Sequence, residues 1–325
     1  MLVTKKDKFA ITYKDVKYPY EQLLRYSQIY ADTFSSQSTP KKVLICAQNS
    51  PEWCFAFLGT MRCKAIAVPL DAQSTKKEIE YVINDCRPDI VFISEDKLGM
   101  FSDLELQGAR LMTKNDVVLS DDPDIPATDI PMGKDDETML INYTSGSTGS
   151  PKGVMINHRS LSNNVENGKH ILPVEPGQRV VSMLPLAHMF GQLADFLYPF
   201  SAGATIYYLT KAPTPSILLK AMSDVKPYLV ATVPLVIEKI HKKKLDPLLS
   251  KALLKFFWYT PGIMNLLRGY VKKSLVKAFG GQVRYFLCGG AAMNPVVEKC
   301  LMDVNFPLSI GFGMTECGPL VSGLP

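Results

Sequence analysis

The sequence predicts an α/β protein made of two parallel-sheet subdomains packed together. Three observations carry that prediction. Short apolar runs of strand length alternate with helix-length stretches along nearly the whole chain. Turn residues separate them, and no internal repeat or low-complexity tract interrupts the pattern. The 325 residues are 46% apolar and 21% charged, an ordinary globular composition with enough chain for two domain-sized units.

The elements follow in order. Lys42–Ala47 (KVLICA) is a continuous apolar run, as buried parallel strands are. Ser50-Pro51-Glu52 then opens a helix: a hydroxyl for the cap, proline at the first position, and a carboxylate facing the positive end of the helix dipole. That helix reaches Met61. A strand at Ala65–Pro69, a helix over Lys76–Cys86 and a strand at Asp89–Ser94 complete a β-α-β-α-β unit with right-handed crossovers. Ser120–Asp136, rich in Asp and Pro, reads as a surface connection. Met139–Tyr143 is a strand that delivers a Ser/Thr/Gly loop. Further strands are predicted at Val180–Leu184, Ala204–Leu209, Leu229–Val233, Val283–Leu287 and Pro307–Gly311, with helices between them, one opened by Asn294-Pro295. The two units are expected to meet near residues 170–185, with ligands beyond the carboxyl ends of the strands.

Charge and cysteine usage narrow the class. The net charge of +5 is concentrated: Lys239–Gly281 carries +9 and the rest of the chain −4. Seven scattered cysteines form no CxxC pair, which argues for thiols in a reducing compartment over a disulfide framework or zinc site. The opening MLVTKKDKFAITY lacks an apolar h-region, and no apolar run reaches the ~18 residues of a membrane span. A cytoplasmic protein is expected. Leucines and aromatics interleave the lysines of the basic stretch, in Lys239–Leu245 and Leu253–Tyr259. That composition fits peripheral contact with an anionic membrane face through residues 239–277, or solvated helices with an ordinary buried face. No nucleic-acid fold signature accompanies it, so no nucleic-acid partner is expected.

The loop Tyr143–Met155, YTSGSTGSPKGVM, carries the chemistry. Gly146, Gly149 and Gly153 permit left-handed backbone that costs other residues ~1–2 kcal/mol, and let N–H groups approach an anion. Thr144, Ser145, Ser147 and Thr148 add hydroxyl donors, and Lys152 adds a point charge. Together they suit phosphate oxygens. Ser150-Pro151 separates Gly149 from Lys152, so the Walker spacing G-x-x-x-x-G-K-[ST] is not met.

This loop resembles the phosphate-loop signature of the adenylate-forming superfamily, which includes acyl-CoA synthetases, luciferases and peptide-synthetase adenylation domains. Three further stretches are similar to that superfamily's segments in the same order: Leu184–Gly191 (LPLAHMFG), Leu287–Ala292 (LCGGAA) and Gly311–Pro319 (GFGMTECGP). The resemblance spans nearly the whole chain and implies an AMP-binding N-terminal domain over 1–325, in part, layered αβαβα, with approximate subdomains 1–175 and 176–325. It implies the activation of a carboxylic acid with ATP to an acyl-adenylate, then a thioester with coenzyme A. The basic insertion before Val283 looks like that of long-chain fatty acyl-CoA synthetases, so a long-chain fatty acid is the expected acid.

The residue roles follow from the same resemblance and from the demands of the chemistry. Attack on the α-phosphorus expels pyrophosphate, so the site must supply positioning and positive charge. Glu316, just past a strand end, is the candidate Mg2+ ligand, and Thr315 the α-phosphate donor. Gly289, Gly290 and Ala291 leave a flat opening for the purine, and Gly311, Phe312, Gly313 and Met314 border it, Phe312 stacking on adenine. His188 is implied to line the carboxylate pocket; His158, His170 and His241 are read as structural. The resembled enzymes also have a ribose-binding aspartate, a hinge and a small C-terminal domain with a catalytic lysine, none found within these 325 residues. Lys152 is not that lysine. This chain alone is therefore expected to turn over poorly. Two other readings stay open: a stand-alone nucleotide or lipid binder, and an adenylation module that loads a carrier protein.

Overall fold

The computed structural model describes residues 9–144, 151–211, 213–244 and 263–324. Ser145, Gly146, Ser147, Thr148 and Gly149 of the phosphate-loop motif lie outside the described residues, as does the 245–262 part of the basic segment.

The amino-terminal portion runs β1 (Ile11–Tyr13), β2 (Val16–Tyr18), α1 (Tyr20–Phe34), β3 (Lys42–Cys46), α2 (Pro51–Arg62), β4 (Ile66–Pro69), α3 (Lys76–Cys86), β5 (Ile90–Ile93), α4 (Leu98–Ser102), β6 (Arg110–Met112), β7 (Thr138–Thr144) and β8 (Lys152–Asn157). Then come α5 (His158–Ile171), β9 (Arg179–Ser182), α6 (Met189–Gly191), a π-helical segment (Gln192–Leu197), α7 (Tyr198–Ser201), β10 (Thr205–Tyr208), α8 (Pro215–Val225), β11 (Leu229–Thr232) and α9 (Pro234–Lys244). After the undescribed stretch follow α10 (Ile263–Ala278), β12 (Tyr285–Cys288), α11 (Pro295–Asp303), β13 (Leu308–Gly313) and β14 (Leu320–Leu324).

Local chemistry explains the helix starts. Ser50 accepts a hydrogen bond from Trp53 N with Pro51 behind it. Thr75 and Glu78 form a reciprocal capping box at α3, and Asn294 caps α11. Two sheets result, ordered β6-β5-β3-β4-β7-β8 and β14-β13-β12-β11-β9-β10-β1-β2. Both are parallel except at the pairs β7/β8, β13/β14 and β1/β2.

The expected partition at residue 175 does not describe the sheets. β1 pairs with β10 in parallel, Ile11 opposite Ile206, so the first strands belong to the sheet of the second half. Tyr20 reinforces this by donating to the carbonyls of Ala204 (2.7 Å) and Phe200 (3.1 Å).

The layers are built by burial. A central apolar layer between the sheets holds α1, α2 and the π-helical segment, where Trp53 stacks on Phe57 at 5.1 Å and meets Phe196 edge-on. α3 and α4 cover the outer face of the smaller sheet. α8, α9, α10 and α11 cover the outer face of the larger one. The order is αβαβα, as predicted. All seven cysteines are free thiols. No helix among the described residues is long and apolar enough to cross a membrane.

Candidate functional site

β7 and β8 form an antiparallel hairpin that brackets the phosphate-loop motif, with Thr144 opposite Lys152 and Tyr143 opposite Gly153. Gly153 is therefore not a turn glycine adopting positive φ, as the loop reading held. It is a strand residue whose missing side chain makes room: a Cβ there would lie 2.9 Å from Ile141 Cγ2 and 3.2 Å from Tyr143 Cζ. Tyr143 in turn donates to Asp85 Oδ2 on α3 at 2.5 Å, which fastens the hairpin to the helix beside it. Lys152 is exposed at the start of β8.

The LPLAHMFG stretch leaves the carboxyl end of β9 as a loop clamped from several sides. Asp195 Oδ2, in the π-helical segment, accepts the N–H groups of Met183 and Leu184, both at 2.7 Å. Asn49, just past β3, donates to Leu184 O (2.7 Å) and accepts from Leu186 N (2.9 Å). Asn142, buried in β7, donates to Ala187 O at 2.8 Å and accepts from Gln192 Nε2. Asp71, just past β4, places Oδ2 at 3.4 Å from His188 Nε2. Residues at the carboxyl ends of β3, β4 and β7 thus reach across from one sheet to hold a loop of the other. Asp195 is fully buried and desolvation pushes its carboxyl up to about 7, against the opposing effect of the two backbone donors and Ser182.

Two concavities meet at this loop. One is an apolar cavity of about 390 Å³ with Ile171, Leu184, Tyr198, Leu229 and Leu287 among its walls. The other is a polar cleft of about 810 Å³ that includes Asp71, Glu78, Asn142 and Thr144. His188, Gly290 and Thr315 line both and form the common rim.

The structure brings most of the described candidate residues to this place. Gly289, Gly311, Phe312, Gly313 and Met314 line the apolar cavity with the three rim residues, and Thr144 lines the cleft. A Cβ on Gly289 would meet Gly311 O at 2.9 Å, so close approach of β12 and β13 requires glycine. Gly290 has φ +84°, where glycine avoids strain. Phe312 is 65% exposed, an open ring at the edge of the cavity. Ala291 and Glu316 are exposed next to the rim and line neither concavity. Glu316 sits in the turn Thr315–Cys317, which packs beside β8. Among the described residues, no cluster of three metal-ligating side chains occurs. His158 and His241 are buried, and with His170 they line neither concavity.

Sequence reasoning missed the clamps. Asn49, Asp71, Asn142 and Asp195 carry no motif of their own. Asn164 is another: on α5, it donates to Cys317 O (3.0 Å) and accepts from Leu320 N (2.8 Å), fixing the turn that bears Thr315 and Glu316. The available signal was a polar residue inside an apolar run, as Asn142 is in MLINY and Asp195 in LADFLYPF.

Comparison with known proteins agrees with this fold. The family model described as AMP-binding enzyme matches residues 2–325. A long-chain-fatty-acid–CoA ligase, ACSBG2 of Gallus gallus, is 25% identical over 331 residues, covering 87% of this chain and 43% of the relative. Long-chain-fatty-acid–CoA ligase 1 of Saccharomyces cerevisiae is 35% identical over 209 residues, covering 57% of this chain and 29% of the relative. The chain thus spans less than half the length of these relatives. Among solved structures, ATP-bound MatB from Rhodopseudomonas palustris superposes with a TM-score of 0.77 at 20% identity, covering 99% of this chain and 60% of that one. The N-terminal domain of FACL13 from Mycobacterium tuberculosis gives 0.73 at 20% identity, with 96% and 73% covered. At such identities the likeness shows the fold.

Proposed function

The chain belongs to the AMP-binding enzyme family, and from that premise we propose that it carries the acid- and ATP-binding part of a long-chain-fatty-acid–CoA ligase. One observation carries the reading: an apolar cavity and a polar cleft share His188, Gly290 and Thr315 as their rim. An acid activated by ATP needs this arrangement, with its chain in an apolar chamber and its carboxylate beside the phosphates.

The proposed roles are specific. The acyl chain occupies the apolar cavity and the carboxylate lies at the rim near His188. The carboxylate oxygen attacks the α-phosphorus, the bond to the β-phosphate bridging oxygen breaks, and pyrophosphate leaves. Thr315 donates to the α-phosphate, and Thr144 together with Ser145, Ser147, Thr148 and the glycines Gly146 and Gly149 receives the outer phosphates. Gly289, Gly290 and Ala291 admit the adenine and Phe312 stacks on it. Coenzyme A thiolate then displaces AMP from the acyl-adenylate. Glu316, exposed and without a hydrogen-bond partner among the described residues, would hold Mg2+, which when bound would supply positive charge beside the phosphates.

One feature extends the reading. α10 presents Leu266 and Tyr270 to solvent with Lys273 and Lys277 on the same helical face, a surface suited to anionic lipid where a fatty acid partitions. Liposome co-sedimentation with and without anionic lipid tests it; equal recovery on neutral vesicles removes the electrostatic argument.

The function itself is tested by ATP–pyrophosphate exchange with acids from acetate to palmitate. Exchange that rises with chain length is expected, slowly for this chain alone. Flat dependence on chain length rules out the long-chain assignment, and ATP binding without any exchange favours a stand-alone binder. Carrier-protein loading is separated by offering a carrier and coenzyme A as competing thiols.

A further inference from the structure

The clamps on residues 183–188 fix the backbone of that loop. They leave one element of it unaccounted for, the side chain of His188. Within residues 183–188, Asn49, Asn142 and Asp195 bind main-chain N–H and C=O groups only. The imidazole is 61% exposed and stands on the rim shared by the two concavities. Its described polar neighbour is Asp71.

Asp71 is built to serve as a fixed partner. It follows β4 by two residues, so the strand sets its position. Its Oδ1 accepts from Gln73 N at 2.8 Å, and its own carbonyl accepts from Cys46 Sγ at 3.5 Å. These contacts aim Oδ2 at His188 Nε2. At 3.4 Å the contact is an ion-pair distance, longer than the best hydrogen bonds. His188 is the largest influence holding the Asp71 carboxyl below the usual carboxylate range, against burial, with Gln73 N–H and Lys97 adding to the effect. Glu78 also faces Asp71, from the first turn of α3, as a like charge.

We propose that Asp71 is the positioning residue for His188: from the end of β4 it holds the imidazole across the common rim, and so sets the passage by which a carboxylate-bearing apolar ligand enters the cavity from the cleft. The geometry supports this because Asp71 lines the cleft alone, whereas His188 lines both chambers. An untethered histidine on an exposed rim has several staggered rotamers available, and a fixed carboxylate selects the one that points toward β4. The role in entry rests on the reading of the apolar cavity as the acyl site; the pairing itself does not.

The experiment has two arms on the full chain. In the first, the Asp71 carboxyl carbon is followed by NMR through an acid titration of wild type and His188→Ala. Its midpoint is expected to move upward in the variant, and an unmoved midpoint overturns the pairing. In the second, palmitate binding is measured by calorimetry for wild type, Asp71→Asn, His188→Ala and the double variant. Each single change is expected to weaken binding about threefold, the size of an exposed ion pair, with the double variant no weaker than the worse single. Losses that multiply in the double variant overturn the positioning role, because independent structural effects add in free energy. Asp71→Glu, which keeps the charge, is expected to recover part of the loss; recovery by Asp71→Asn to the wild-type value also overturns it. If palmitate fails to bind wild type, the acyl reading falls and the entry role with it, while the carboxyl titration still decides the pairing.

Discussion

Tyr143 donates its phenolic hydrogen to Asp85 Oδ2 at 2.5 Å, joining the strand before the phosphate-loop motif to the last turn of α3. Burial, then the bond to Asp85, push the phenol well above its ordinary range, so it remains a donor at any physiological pH. Tyr143→Phe keeps the ring under Gly153 and removes only this tether. A hydrogen bond to a charged acceptor contributes about 1.5–3 kcal/mol, and partial exposure here places the loss at the lower end. ATP affinity is expected to fall several-fold with little loss of secondary structure, read by calorimetry and circular dichroism. Unchanged affinity means that the tether does not organise the loop.

Gly153→Val addresses the same hairpin by crowding. Its Cβ would press on Ile141 Cγ2 and the Tyr143 ring. Both are side chains that shift by a few tenths of an ångström, so the expected cost is that of moderate overpacking, about 1–3 kcal/mol. The melting temperature is expected to fall by several degrees, and Gly153→Ala by less. If valine is as stable as glycine, the hairpin is not packed as described.

These residues show which parts of the molecule were legible in the sequence. β3, β4, β7 and α2 were readable because burial of a whole strand and a polar cap both leave local patterns, as in KVLIC and in Ser50-Pro51 ahead of the helix. Gly153 was misread because a glycine needed for a turn and one needed for close packing look alike in one dimension. The placement of β1 against β10 was not readable, since nothing local links Ile11 to a partner 195 positions away. Within the candidate site, the motif residues stood out in the sequence because several chemistries cluster within ten positions. Asn49, Asp71, Asn142 and Asp195 were not, because each is a single polar residue whose meaning arises only when strand ends from both sheets converge.

Asp195 supplies a pH-dependent prediction. Its carboxyl is raised to about 7 in the fold, chiefly by burial. A group raised above its unfolded value binds its proton more tightly in the folded state. Its contribution to stability is therefore complete below the ordinary carboxylate range near 4 and is lost as pH rises through about 7. Asp195→Asn keeps an oxygen for the Met183 and Leu184 N–H groups and removes the titration. Relative to wild type, the variant is expected to gain on the order of 2 kcal/mol between pH 5 and 8, visible in denaturant midpoints. A parallel pH dependence in the two proteins contradicts the burial argument. Asp195→Ala strands two buried donors instead and is expected to destabilise at every pH.

Asn164→Ala tests the anchoring of the turn at Thr315–Cys317. The substitution leaves Leu320 N and Cys317 O without their side-chain partner. A loss of about 1–2 kcal/mol of local stability is expected, concentrated in the turn and β14. Hydrogen exchange at the Leu320 amide is the direct readout and is expected to accelerate about tenfold, while the Val43–Cys46 amides of β3 are unaffected. Equal exchange rates at Leu320 in both proteins disprove the anchoring.

Glu316→Gln separates metal holding from folding. The side chain is exposed and hydrogen-bonds to nothing among the described residues, so its replacement is expected to leave the melting temperature within about a degree. Its proposed task is electrostatic: a full negative charge that attracts Mg2+ to the phosphates at the rim beside Thr315. Glutamine retains the shape and an oxygen but loses the charge, and a hard divalent cation discriminates strongly between the two. The Mg2+ concentration needed for half-maximal ATP binding is expected to rise about tenfold in the variant, whereas nucleotide binding measured with excess EDTA is expected to be alike in both. Thr315→Ala gives the contrasting pattern, with weaker nucleotide binding in the presence or absence of metal. An unchanged Mg2+ requirement in Glu316→Gln would assign the metal to other groups and leave Glu316 as a solvated residue of the turn.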